Sequence, residues 1–245
     1  MSLGISFDLD FQVIDADSSA KKIQSIFRGY QYRKNVLPNS ILYCQKILRE
    51  FNISCSNECS DGRTNSCIDE KKIVNVLVER LNGRIYVPKS RHWYDVSVYD
   101  YRYGWIPVNI KSSMMKSSDN TGNLAMCVYA LTNKKLDLKT SYSNGKMSKI
   151  LIQKIRDNYL NKNIKRDYYF IVINKSNPSD IIVNSFKGLE HLTPNINNLP
   201  FQVKWSVNKQ YKYKTISSVL KKFIATLKKP KPSWSEEFLF NIRQL

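Results

Sequence analysis

The chain is short of acid. Its 245 residues carry 39 Lys plus Arg against 20 Asp plus Glu, a formal net charge of +19. A fold does not require that excess, whereas a polyanionic partner rewards it, so nucleic acid leads and an anionic membrane surface follows. No apolar run approaches the ~18 residues of a membrane span, which argues against a membrane protein. The opening stretch, MSLGISFDLDFQVIDAD, is acidic and lacks the basic-then-apolar layout of a signal peptide. An intracellular protein, cytoplasmic or nuclear, is the expectation. Histidine is nearly missing: only His92 and His191 occur, and neither sits in a motif. The five cysteines are an odd number, which suits a reducing compartment better than a disulfide framework. Cys44, Cys55, Cys59 and Cys67 fall close together without the paired two-residue knuckles of a zinc site, so free thiols around a polar loop are expected. No internal repeat and no second core is visible.

What is present suits one mixed domain behind a helical extension, divided at residues 1–37 and 38–245. Hydrophobic residues make up 42% of the chain, ample at this length for a core that needs no cross-links. Residues 18–36 read as a helix capped by Asp17 or Ser18, with Ile23, Ile26, Phe27 and Tyr30 at helical spacing. Pro38 ends it, and SILYCQKILREF (40–51) starts a second helix. Residues 52–66 read as a loop. A third helix is expected from Asp69 to a stop at Asn82-Gly83. The period then changes: YDVSVYD (94–100) and WIPVNIK (105–111) read as strands joined by the turn YRYG. NLAMCVYAL (123–131) reads as a buried helix. DYYFIVINK (167–175), DIIVNSF (180–186) and LPFQVKW (199–205) read as further strands, with Asn177-Pro178 as a turn and a lysine-rich, weakly helical tail beyond.

The informative stretch runs from Glu70 to Asn123. Period two puts Asp95, Ser97 and Tyr99 on one face of the first strand and Val96 and Val98 on the other. On the second strand Asn109 and Lys111 share a face while Val108 and Ile110 turn inward. A hairpin brings the two polar rows together: a carboxylate, an amide oxygen and an ammonium on rigid strands. That is a layout for metal-assisted phosphodiester chemistry, with oxygen ligands for Mg²⁺ and a Lys to orient or activate water. The bland alternative is a strand salt bridge on a solvated sheet face.

Asp95, thirteen intervening residues, then Asn109-Ile110-Lys111 resembles the PD-(D/E)-x-K, restriction-endonuclease-like nucleases. The usual second acid is Asn here, as in some type II restriction enzymes, and the usual Pro before the Asp is Tyr94. IPVNIKSS, SSDNTGNLAMCVYALT, DYYFIVINK and NLPFQVKW extend the resemblance over residues 66–206. It implies an α/β fold with a mixed central sheet flanked by helices. It also implies a Mg²⁺-dependent DNA endonuclease acting at a short site on double-stranded DNA, with Asp95, Asn109 and Glu70 as metal ligands and Lys111 beside the attacking water. The family's helix-borne Glu has two candidates. At about 100° per residue, Glu70 falls on the face of Ile73, Val74, Val76, Leu77 and Leu81, and Glu79 lies opposite; Glu70 is preferred, with Glu79 in reserve. Ser112, Ser113, Lys116, Asn120 and Asn123 follow the second strand and are candidate phosphate and base contacts, with Lys204, Trp205 and the basic tail alongside. Two histidines without a motif argue against a histidine-metal nuclease. A symmetric DNA site would suit a homodimer.

The extension carries a pattern of its own. IQSIFRGYQYR (23–33) fits the IQ motif at Ile23, Gln24, Arg28, Gly29 and Arg33. That resemblance implies a calmodulin-like partner gripping the helix, and a eukaryotic setting, a virus in such a host included. A non-catalytic DNA-binding protein and a calmodulin-binding adaptor are the alternatives to the nuclease.

Overall fold

Alternation along two short stretches builds the centre of the molecule. The computed structural model describes residues 16–34, 37–51, 53–55, 62–89, 92–163, 166–195, 200–227 and 236–245. In it Val96–Asp100 (β2) and Gly104–Ser113 (β3) form an antiparallel hairpin. Val96, Val98, Val108 and Ile110 turn to one side and are completely buried. Gly104 closes the turn at φ +73°, a left-handed conformation that glycine takes without strain. Ile85–Tyr86 (β1) lies outside β2, Tyr169–Asn174 (β5) runs parallel to β3, and Asn177–Ser185 (β6) returns antiparallel to β5. The sheet order is therefore β1-β2-β3-β5-β6. Its parallel pair needs a crossover, which Leu124–Leu131 (α4) and Asn144–Arg156 (α5) supply. Asp119–Asn120 (β4) and Gln202–Val203 (β7) make a separate two-stranded sheet. Pro107 sits in β3 where pairing with β5 has not yet begun; that ladder starts at Val108, so β5 asks no N–H of it.

Both sheet faces are covered. Asn39–Phe51 (α2) and Gly62–Leu81 (α3) bring Ile41, Leu48, Ile73 and Leu77 onto Val96, Val108 and Ile171. On the other face α4 and α5, with Ile216–Leu227 (α6) and Glu236–Arg243 (α7), bring Met126, Leu151, Phe223 and Phe238 into one cluster with Phe170, Val172 and Ile182. Each such side chain contributes about 1.5–3 kcal/mol relative to exposure. The result is a mixed α/β fold with seven helices among the described residues. None of those helices is long and apolar enough to cross a membrane.

Several local expectations change. The helix α3 begins at Gly62, so residues 62–66 are helical and not loop; residues 56–61, with Cys59, lie outside the described residues. Cys44 is a core residue of α2, its thiol pushed up to about 12 by burial, and Cys67 rides on α3. Asn177-Pro178 opens β6, and the turn falls at Lys175–Ser176; proline is tolerated there at the start of an edge strand. Only Gln202–Val203 of LPFQVKW is strand, and Pro230 and Pro232 lie outside the described residues. The helices α5 and α7 were not anticipated.

The chain divides into two units, residues 1–36 and 37–245. In the first, Ala16–Lys34 forms one helix, α1, on which Ile23, Ile26 and Phe27 are 68%, 62% and 59% exposed. The side chains of Arg28, Gly29, Tyr30 and Arg33 lie outside the described set.

Candidate active site

Three elements of the second unit converge at one end of the hairpin. Asp95 immediately precedes β2: its N–H donates to the Val108 carbonyl at 3.0 Å, and the Ile110 N–H donates to its Oδ2 at 2.8 Å. Extending the β2–β3 register by one residue sets Asn109 across from Asp95. Asn109 is buried, and its Oδ1 accepts no hydrogen bond. Lys111 lies two residues on, along the same face, and its Nζ donates to Glu70 Oε1 at 3.0 Å. Glu70 arrives from α3, one position off the buried stripe of Asp69, Ile73, Leu77 and Leu81. Glu79, the reserve candidate, is exposed further along that helix. The helix stops at Leu81 because Asn82 (φ 39°) and Gly83 (φ 76°) both take left-handed backbone.

The charges are interdependent. Burial raises the Asp95 carboxyl, with Lys111 and the Ile110 N–H pulling against it. Glu70 is also raised by burial, which outweighs its ion pair with Lys111. For Lys111 burial opposes the charge, but Glu70 and Asp95 more than offset it, and its pKa lies above the ordinary lysine value. Lys111 is therefore an ammonium at neutral pH. Asp119, from β4, is raised by burial against the pull of the Ser113 hydroxyl and Lys111.

Beside these groups an open cleft of about 490 Å³ is lined by Glu70, Lys71, Lys89, His92, Tyr94 and Asp95 among others. His92 has both ring nitrogens buried without a hydrogen-bond partner. Sequence reasoning passed over His92, which had no motif around it, and Asp69. Asp69 is fully buried, accepts the Ser112 hydroxyl at 2.9 Å and pairs with Lys175 at 3.3 Å. Its signal was its place four residues ahead of Ile73, on the core-facing stripe.

The expected DNA contacts separate into two groups. Ser112 and Ser113 belong to β3 and are buried, their hydroxyls engaged with Asp69 and the Met115 N–H, so they do not form a polar loop. Asn123 caps α4, accepting from the Met126 N–H and donating to the Trp93 carbonyl. Trp205 is wholly buried in the core and does not line a surface. Lys116, Asn120 and Lys204 are exposed, with Asn120 Oδ1 accepting from Asn195 and Gln202.

Among the described residues no three His, Cys, Asp or Glu side chains gather as a metal cluster. The candidate ligands are the Asp95 and Glu70 carboxylates, both beside Lys111, and the amide of Asn109, which the register sets across from Asp95. All three are hard oxygen donors of the kind Mg²⁺ takes, and the unpartnered Asn109 Oδ1 is a buried acceptor that a cation would satisfy.

A family model of the IQ calmodulin-binding motif matches residues 17–37. No curated protein and no solved structure matches the chain.

Proposed function

We propose that residues 37–245 form a metal-assisted DNA endonuclease of the restriction-enzyme-like kind. The observation that carries this reading is the meeting of Asp95, Lys111 and Glu70, from three separate elements, beside an open cleft. Two further features support it. The order of helix with acid, strand with Asp, turn, and strand with Asn-x-Lys is the order the resemblance calls for, and the net charge of +19 suits a polyanion. Asp95, Asn109 and Glu70 would hold Mg²⁺, which when bound supplies Lewis-acid neutralisation of phosphate charge and a lowered water pKa. Lys111, held protonated by its two carboxylates, is a cation and not a base; it stabilises charge developing on the phosphate oxygens and fixes the attacking water. Hydrolysis joins the water oxygen to phosphorus and breaks the bond to the 3′ oxygen, leaving 5′-phosphate and 3′-hydroxyl ends. The test is incubation of the purified protein with long mixed-sequence DNA and Mg²⁺, with EDTA and Asp95→Ala controls. Discrete metal-dependent bands absent from the variant support a site-specific enzyme, for which a homodimer on a two-fold site is the natural assembly. Retained cutting by pure Asp95→Ala overturns the assignment, and bound but uncut DNA points to the non-catalytic DNA-binding alternative.

A second activity belongs to the first unit. The match at residues 17–37 and the exposed row Ile23, Ile26 and Phe27 support α1 as a helix that a calmodulin-like protein grips. Capture of the whole chain on immobilised calmodulin, and its loss on removing residues 17–36, is the check.

A further inference from the structure

The face of the hairpin that carries Asp95 also holds an opening that the catalytic groups leave unused. Period two puts Ser97 and Tyr99 on Asp95's face of β2. The registers set Tyr86 of β1 and Pro107 of β3 on either side of Ser97, and Trp105 opposite Tyr99. A cavity of about 430 Å³ opens there, lined chiefly by Tyr86, Ser97, Trp105, Leu138 and Lys139. That is within the range of small-molecule sites and more than a single aromatic base needs. Ser97 is completely buried, and its hydroxyl has no hydrogen-bond partner. A buried hydroxyl left unpaired is destabilising, and a ligand atom that pairs with it removes the penalty.

The walls are aromatic and held in place. Trp105 and Tyr86 are both substantially exposed, unusual for side chains of this size. The Trp105 ring is braced edge-on by Tyr99, centroids 5.4 Å apart, and Tyr99 in turn by Tyr101 at 5.7 Å. The segment that brings Leu138 and Lys139 is tied down where the Leu138 carbonyl accepts the Tyr94 hydroxyl at 2.5 Å. Ser97 lies two residues along β2 from Asp95, roughly 7 Å at strand rise.

We propose that this cavity is a base-binding subsite, taking one unpaired nucleobase adjacent to the phosphate that is cut. Flat aromatic walls, a lone hydroxyl at the floor and a lysine at the rim suit a planar ring with a polar edge and an attached phosphate. The base stacks on Trp105, its edge pairs with the Ser97 hydroxyl, and Lys139 meets the phosphate. The choice of a base as occupant rests on the nuclease reading. A base inside a duplex is stacked on its neighbours, so occupancy requires one nucleotide to leave the stack.

The test uses the full chain and saturation-transfer NMR with the four 5′-deoxynucleoside monophosphates, with deoxyribose 5-phosphate as the baseless control. Binding through base protons is expected, with none for the sugar phosphate. Trp105→Ala should weaken it about tenfold or more, and Trp105→Phe should restore most of it. Ser97→Ala should weaken binding and change the order of preference among the four bases. Nucleotides that fail to bind, or bind equally to Trp105→Ala, overturn the subsite. A wild-type protein that cuts DNA yet binds no nucleotide removes the subsite alone. Trp105-dependent binding in a protein that cuts no DNA keeps the subsite and removes the catalytic reading.

Discussion

Asp95 is held where a carboxylate is least comfortable. Burial raises its pKa, so between the ordinary carboxylate value and the raised folded one the native state holds a proton that the unfolded chain has released. Stability therefore falls as pH rises through that window, and the destabilisation is complete above it. Asp95→Asn keeps an oxygen for the Ile110 N–H and removes the buried charge. It should abolish cutting while raising the neutral-pH thermal midpoint by a few degrees, on the order of 0.5–2 kcal/mol, with the gain shrinking toward pH 4. A midpoint that drops at neutral pH would overturn the account of Asp95 as strained. Asn109→Asp works the opposite way, setting a second carboxylate across from the first. Its midpoint should fall in EDTA and recover on adding Mg²⁺, measured by thermal melts at fixed ionic strength. No recovery would count against Asn109 as a metal-side ligand. The placement of these residues was legible in part: strand alternation is a local rule that puts Asn109 and Lys111 on one face of β3, and the hairpin register then sets Asp95 across from Asn109. Helical phase likewise separated Glu70 from Glu79. Asp69 was legible only as a carboxylate at the head of an apolar stripe; its role was not, because that depends on Lys175 and Ser112, which come from distant parts of the chain.

The helix α3 has two duties as an element, covering the sheet with Ile73, Leu77 and Leu81 and delivering Glu70 to Lys111. Leu77→Ala should destabilise the fold by about 2–5 kcal/mol in urea unfolding, as expected for a large-to-small change in a closed core. Residual activity below the melting transition should fall as well, since a loosened α3 no longer fixes Glu70. Full activity in a destabilised protein would separate the two duties. Long apolar stretches such as α4 and β5 were legible as elements because almost every residue is buried. By contrast α5 was missed, although Ser143 caps it and Met147, Leu151 and Ile155 recur at helical spacing. Its lysines and glutamine sit on the exposed face between those residues and mask the pattern. The boundary errors have two causes. Ser112-Ser113 are composed like a turn but are held in strand by pairing with Ile173 and Asn174 of β5, a long-range contact that composition does not encode. Asn177, by contrast, pairs locally with Asn174, and the turn falls two residues earlier than the Asn-Pro pair suggests.

At the scale of the whole molecule, charge is the feature that the two units divide unequally. The first unit, residues 1–36, contains five Lys or Arg, all within 17–36, and four Asp, so it holds one of the nineteen net positive charges and residues 37–245 hold eighteen. If the body grips DNA, affinity should fall steeply with salt, because each phosphate neutralised releases counterions and contributes a slope of roughly 0.9 in log K against log salt. Removing residues 17–36 should leave that slope and the cleavage rate nearly unchanged while abolishing capture by calmodulin. Phe27→Glu should do the same without shortening the chain, since it places a carboxylate on the exposed apolar row that an acidic partner would otherwise cover. Fluorescence anisotropy on a labelled duplex at several salt concentrations, run beside a calmodulin pull-down for the same three proteins, reads both functions together. If the slope drops with the deletion, α1 lies on the nucleic acid, and the separation of a DNA-acting body from a protein-binding helix is wrong. If the slope holds and capture is lost, the IQ helix is a docking handle whose occupancy can be controlled without touching the catalytic face.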